Sequence, residues 1–211
     1  MVAFILATTA VSAQHKSHPT NVSTNNSSKT VKNNKYLELN QTMRKLWSDH
    51  MHWTLSTVDA FFNEPKQLET KLNRLLQNQK EIGASIVPFY GQAAGDKLAK
   101  LLTEHIELAV PVLKAAQAND KASLDTSLAN WYRNANEIAG FLSAANPKNW
   151  PPSATEPALK MHITHTTEYA VNILKGEYAS SIKGFEGALN HMLLLADILS
   201  EGIAKQFPGK F

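Results

Sequence analysis

From Tyr36 to the C-terminus, apolar residues recur every three or four positions along the chain. Leu39, Met43 and Leu46 show this spacing at the start of the region, and it places apolar side chains on one face of an α-helix. No stretch shows a convincing alternation of apolar and polar residues, as a half-buried strand would. The pattern predicts an all-α protein in which each helix buries one face against the others.

Polar, glycine-containing and proline-containing segments divide this region into six predicted helices. The breaks fall at residues 63–65, 91–95, 119–120 and 146–157. The last segment, NPKNWPPSATEP, contains four prolines, which lack the N–H that a helix interior needs. We therefore predict a non-helical linker there, with the fifth helix running from Pro157 to Leu174.

The first 35 residues are expected to lie outside the folded domain. Residues 2–13, VAFILATTAVSA, form a short apolar run that ends in small residues, as a secretory signal does before its cleavage site. No basic residue precedes the run. Residues 14–35 are too polar to bury a core. We predict a signal peptide at 1–13, a disordered basic tail at 14–35 and one helical-bundle domain at 36–211, exported to the periplasm or secreted.

Charge and composition exclude several classes of function. The net charge is +3, but residues 14–35 hold four lysines and no acid, so the rest of the chain carries −1. A basic tail of this kind argues against nucleic-acid binding by the folded domain. The absence of cysteine excludes disulfides, cysteine-bound zinc and thiol catalysis. No transmembrane segment is expected after signal cleavage, and no phosphate-binding loop or nucleophile elbow is present.

The helices show a repeated pattern with a period of 55 to 57 residues. Such a period predicts three antiparallel helical hairpins that form a six-helix bundle, with an internal threefold repeat. Each hairpin has a histidine on its first helix and an acid on its second, and the acids are followed by isoleucine: His50 with Glu81, His105 with Glu137, and His162 with Asp197.

These histidines lie between apolar residues, so their imidazoles are expected to point into the core. A buried imidazole needs a hydrogen-bond partner. One interpretation is that the three acids supply it, so that the pairs are structural and the bundle is a non-catalytic ligand-binding, partner-binding or structural module. The other is that the six side chains bind a divalent transition metal, as imidazoles and carboxylates do in helical bundles. No Glu-x-x-His motif supports the metal, and an enzymatic activity stays open.

Several segments resemble a family of small, uncharacterised bacterial all-helical proteins. The matching pieces are LWSDHMHWT, NQKEIGASIVPFYGQAAGDKL, LLTEHI, WYRNANEIAGFLSAANPKNWP, HMLLLADILSEGI and QFPGKF. The resemblance implies an all-helical fold and brings no assigned activity. Some relatives are similar to sequences labelled "glycosyltransferase", but this chain has neither Rossmann-like strands nor an Asp-x-Asp motif. His50, His105, His162 and His191 match the family pattern, whereas His165 departs from it.

Overall fold

The structure is a computed structural model that describes residues 24–211. This part of the chain contains no strand, and the prediction of an all-α six-helix bundle is confirmed. The helices are α1 (Thr24–Phe62), α2 (Leu68–Tyr90), α3 (Gln92–Gln117), α4 (Lys121–Ala145), α5 (Pro152–Leu174) and α6 (Tyr178–Gln206), with short 3-10 turns at Pro65–Gln67 and Pro208–Lys210.

The six helices form a closed ring. Each helix packs against the one before it and the one after it, α1 packs against α6, and α5 also contacts α1 and α3. Helices α2 and α3 pack together as extensively as α1 and α2 do. The packing therefore does not separate three hairpins from the joints between them, and both the hairpins and the internal repeat stay predictions.

Tight turns allow the short connections between helices. Gly91, between α2 and α3, has a φ of 83°, which a residue with a Cβ rarely adopts. Asp120 caps α4, because its side chain accepts a hydrogen bond from the Ser123 N–H at 3.1 Å. Glycines also let α2 and α3 approach closely, since a Cβ on Gly83 would overlap the backbone of Gly95.

Helix α1 begins earlier than predicted. It starts at Thr24, so residues 24–35 of the segment predicted to be a disordered tail are helical. Nucleation is the costly step of helix formation, and a helix already packed from Leu39 onward extends into polar sequence at little cost. The predicted signal peptide and residues 14–23 lie outside the described residues.

Helix α5 also begins earlier than predicted, at Pro152. The prediction that the prolines exclude helix was wrong for residues 152–156. Pro152 occupies the first helical position, where the N–H has no partner within the helix. Pro157 removes one further hydrogen bond, but Ser153, the residue four positions earlier, is exposed, so its carbonyl oxygen can bond to water.

Trp150 fixes the connection between α4 and α5 to the bundle. Its side chain is buried, and its indole N–H donates to the carbonyl oxygen of Ile198 at 3.2 Å. Asn146 donates to the carbonyl oxygen of Gly202 at 2.9 Å. The connection is therefore bonded to α6 at two points. Across residues 24–211, no helix is both long and apolar enough to cross a membrane.

The contact between Trp150 and Gly202 predicts a large difference between two glycines of α6. A Cβ on Gly202 would overlap the indole, whereas a Cβ on Gly187 would meet nothing within 4 Å. We expect Gly202→Ala to lower the free energy of unfolding by about 1–3 kcal/mol through overpacking. Gly187→Ala should raise it by up to about 1 kcal/mol. Urea unfolding of both variants measures this, and a Gly202→Ala protein as stable as Gly187→Ala would contradict it.

Candidate functional site

Three histidines from three different helices converge inside the bundle. His50 on α1, His105 on α3 and His162 on α5 are 2%, 3% and 4% exposed. The Nε2 atoms of His50 and His162 lie 3.5 Å apart. The His105 ring centroid lies 5.7 Å from that of His162, and the two rings are nearly parallel. We call these three residues the imidazole cluster.

The apolar stripe of each helix carries its histidine inward. Trp47 and Thr54, about one turn before and after His50, are both buried, and so are Leu159 and Thr166 on either side of the α5 histidine. Residues three or four apart share a face of a helix. The packing that forms the bundle therefore also places the imidazoles at its centre.

A buried amide sets the tautomer of His105. Asn134 on α4 donates its amide N–H to the carbonyl oxygen of Leu101 at 3.2 Å. Its Oδ1 is therefore the atom that accepts from His105 Nδ1, at 2.8 Å. This bond places the proton of the neutral ring on Nδ1 and leaves a lone pair on Nε2. That Nε2 is buried and has no hydrogen-bond partner among the described residues.

A second buried amide contacts His50. The Nε2 of Gln79 on α2 lies 3.3 Å from His50 Nδ1 and donates to the carbonyl oxygen of Leu75 at 2.8 Å. With the amide in this orientation, His50 Nδ1 accepts and His50 Nε2–H donates to His162 Nε2. The proton of His162 is then on Nδ1, which has no partner within the described part of the chain.

The three predicted acidic ligands do not reach the imidazole cluster. They are partly or largely exposed and pair with arginines instead: Glu81 with Arg74 at 3.2 Å, Glu137 with Arg133 at 2.5 Å, and Asp197 with Arg44 at 2.6 Å. The structure thus brings together three of the six predicted site residues, and the histidine partners are amides rather than these carboxylates.

Helix geometry explains the difference. Glu81 follows Gln79 by two residues, which is about 200° around a helix, so an inward Gln79 turns Glu81 outward. The signal that identifies the amides is their spacing, because Gln79 and Asn134 each follow their histidine by 29 residues. Polar residues at buried positions of a helix are informative in this way, because they are rarely left without a partner.

The third helix pair has a histidine where the other two have amides. His191 follows His162 by 29 residues, and its Nε2 donates to the carbonyl oxygen of Ala158 at 2.8 Å. Asn134 bonds to Leu101 and Asn78 bonds to the carbonyl oxygen of Leu46. In all three pairs the acceptor carbonyl lies four residues before the cluster histidine. These equivalent bonds support the predicted internal repeat.

A small cavity adjoins the imidazole cluster. It measures about 40 Å³ and is lined by all three histidines, with Trp131 and Thr166 among its other walls. The Trp131 N–H and the Thr166 hydroxyl are buried and have no partner among the described residues. A polar cavity of this size admits a water molecule. Within residues 24–211, no three His, Asp or Glu side chains are arranged so that they could hold a metal ion.

Burial keeps the cluster uncharged. It lowers the pKa of His50 from 6.5 to about 3, with the neighbouring His105 as a second cause. Burial likewise lowers the pKa of His105 to about 4, against the opposing effect of the Asn134 hydrogen bond. The pKa of His162 is held well below 6.5 by burial and then by the other imidazoles. All three rings are therefore neutral at neutral pH.

Comparison with family models, with curated proteins and with solved structures finds no match for this chain. Function is therefore inferred from the site itself, and the resemblance to a bacterial family stays a prediction.

The lowered pKa values predict acid sensitivity. In the unfolded chain each histidine binds a proton below about pH 6.5, whereas folded His50 and His105 bind one only near pH 3 and 4. Stability is therefore full above pH 6.5 and falls as the pH drops toward 4. Each buried imidazole contributes a loss of about 1.4 kcal/mol per pH unit within this window.

Urea unfolding between pH 7.5 and 5 measures the slope. We expect His105→Gln to reduce the slope by about one proton, whereas replacement of the exposed His52 by Gln leaves the cluster's contribution in place. A His105→Gln protein that keeps the full wild-type slope would show that His105 is not held neutral by burial.

Proposed function

We propose that this protein is an exported helical bundle that binds a divalent transition metal ion through the imidazoles of His50, His105 and His162. The observation that carries the proposal is the meeting of three uncharged imidazoles from three helices around one small cavity. The apolar run at residues 2–13 is the only support for export.

The distance between two of the rings fits a shared ion. Two imidazole nitrogens that bind one tetrahedral zinc ion at 2.0–2.1 Å are about 3.4 Å apart. The Nε2 atoms of His50 and His162 are 3.5 Å apart. Without an ion, the same separation accommodates one hydrogen bond between the two rings. An ion would replace the proton of that bond.

The protonation state also favours metal binding. A histidine must be deprotonated to bind a metal, so protons compete with the ion. The pKa of about 3 for His50 and of about 4 for His105 removes this competition at neutral pH. In addition, Asn134 holds the His105 proton on Nδ1, which is the outer hydrogen bond that metal-binding histidines usually make.

Metal binding requires two local changes. The His105 ring, which lies nearly parallel to that of His162, has to turn so that its Nε2 faces the ion. The His50 proton has to move from Nε2 to Nδ1. Gln79 can accept that proton if its amide turns over, because its Oε1 has no partner among the described residues.

We leave Glu81, Glu137 and Asp197 out of the proposed ligand set, because each is paired with an arginine. Three neutral imidazoles leave the double charge of the ion uncompensated in the core, which is costly. The fourth ligand is therefore a small anion such as hydroxide, bound in the adjoining cavity.

The alternative function is a non-catalytic module whose imidazoles only stabilise the core. The bonds to Gln79 and Asn134 favour it, since they give each amide a structural role without any metal. The two functions differ in one measurable property, which is the effect of metal on the native protein.

The decisive experiment is a titration of the full chain, purified without an affinity tag or chelator, with zinc and with cobalt. We expect one ion per chain, and a melting temperature that falls when a chelator is added, because an ion bound only to the native state stabilises it by mass action. The double variant His50→Ala/His105→Ala should lose the ion, and His52→Ala should keep it, because His52 lies on the exposed face of α1.

Loss of stability in the double variant alone decides nothing, since an unpaired buried partner costs about 1–3 kcal/mol in either case. A wild-type melting temperature that neither added metal nor chelator changes would rule out the metal and leave the structural module.

Asn134 provides a further test of the outer hydrogen bond. Asn134→Ala removes the acceptor that fixes the His105 tautomer, so we expect about a 10–100-fold loss of metal affinity. The matched control is Ala144→Ser, at an exposed position of the same helix, which should keep the wild-type affinity. Equal affinities in the two variants, measured by competition with a coloured chelator, would contradict the role of Asn134.

A further inference from the structure

A second cavity lies between α1, α3, α4 and α5, toward the C-terminal ends of α1, α3 and α5. It measures about 50 Å³, and its walls include Val58, Phe62, Val112, Leu124 and Leu174. Its threonines add little polarity, because their hydroxyls donate to carbonyl oxygens of their own helices. Examples are Thr54 to His50 at 2.7 Å and Thr167 to Ile163 at 2.9 Å.

This apolar cavity is continuous with the imidazole cluster on one side. Six residues line both it and the smaller cavity beside the histidines: Thr54, Val58, Ala109, Leu113, Trp131 and Thr166. On its other side, Thr167 and Val171 also line an open groove of about 490 Å³ at the surface between α4 and α5. The three spaces form a line from the surface to the imidazoles.

Size and polarity restrict what can occupy the apolar cavity. Water gains few hydrogen bonds from such walls, and even an engineered apolar cavity of about 150 Å³ stays dry and binds benzene or xenon. A cavity of about 50 Å³ is too small for a benzene ring but admits an apolar molecule of two or three heavy atoms.

We infer that the bundle admits dioxygen from the α4–α5 groove, through the apolar cavity, to the imidazole cluster. The inference names the class of small molecule that reaches the proposed metal site, but the passage itself consists of protein walls and needs no metal. It can therefore be tested on the metal-free protein, so that its failure and the failure of the metal proposal are separate results.

The test uses the paramagnetism of dioxygen, which speeds the relaxation of nearby nuclei. Methyl NMR spectra of the full chain, kept metal-free with a chelator, are compared under dioxygen and under nitrogen pressure. We expect the Val58 and Val112 methyls, which line the cavity, to relax several-fold faster under dioxygen than the Ile163 and Ile173 methyls. All four side chains are buried, but the two isoleucines line neither the cavity nor the groove.

Filling the cavity should abolish the difference. Ala109→Leu places a larger side chain where the two internal cavities meet, and Val112→Ile adds a single methylene group as a milder change that keeps the fold. Ala144→Leu, at an exposed position, is the matched control and should behave as wild type. Equal relaxation of the valine and isoleucine methyls in the wild-type protein would overturn the inference. So would an enhancement that persists at Val58 in both filled variants.

Discussion

The arrangement of this bundle depends on the burial of three uncharged imidazoles at one level of its core. An unpaired buried polar group costs about 1–3 kcal/mol, so each ring constrains the helices around it. Asn134 must face His105, Gln79 must face His50, and His50 must face His162. These contacts join α1 to α2, α3 to α4 and α1 to α5. The polar cluster therefore sets the register in which the apolar stripes pack.

The apolar stripes and the inward direction of the histidines could be predicted from sequence, because both follow from helical periodicity. His50 and His105 lie among large apolar residues on their own helices. The partners could not be predicted in the same way. Acids recur after the histidines at intervals of 31 to 35 residues, which suggests pairing, but a helix turns by about 100° per residue. A difference of two positions, as between Gln79 and Glu81, is enough to exchange a core residue for a surface residue.

The errors at the helix starts have a related cause. Composition describes a segment by itself, whereas a helix end is determined by what the neighbouring turns already bury. Thr24 begins a helix because the residues from Leu39 onward are packed. Pro152 begins a helix because the bonds of Trp150 to α6 deliver the chain in position, and a proline at the first helical position loses nothing. Local rules of proline chemistry were correct there, but their consequence depended on position.

The use of amides rather than carboxylates has a consequence for chemistry at the centre of the bundle. A carboxylate beside an imidazole favours the protonated ring and raises its pKa, which would place charges in the core and occupy the nitrogen lone pairs. Asn134 accepts a hydrogen bond without adding charge, so His105 stays neutral and its Nε2 remains without a partner among the described residues. An apolar cavity can then adjoin the same nitrogen without a charged wall. A core built in this way keeps basic, unprotonated nitrogens next to apolar space, a combination that a carboxylate-paired core would lose.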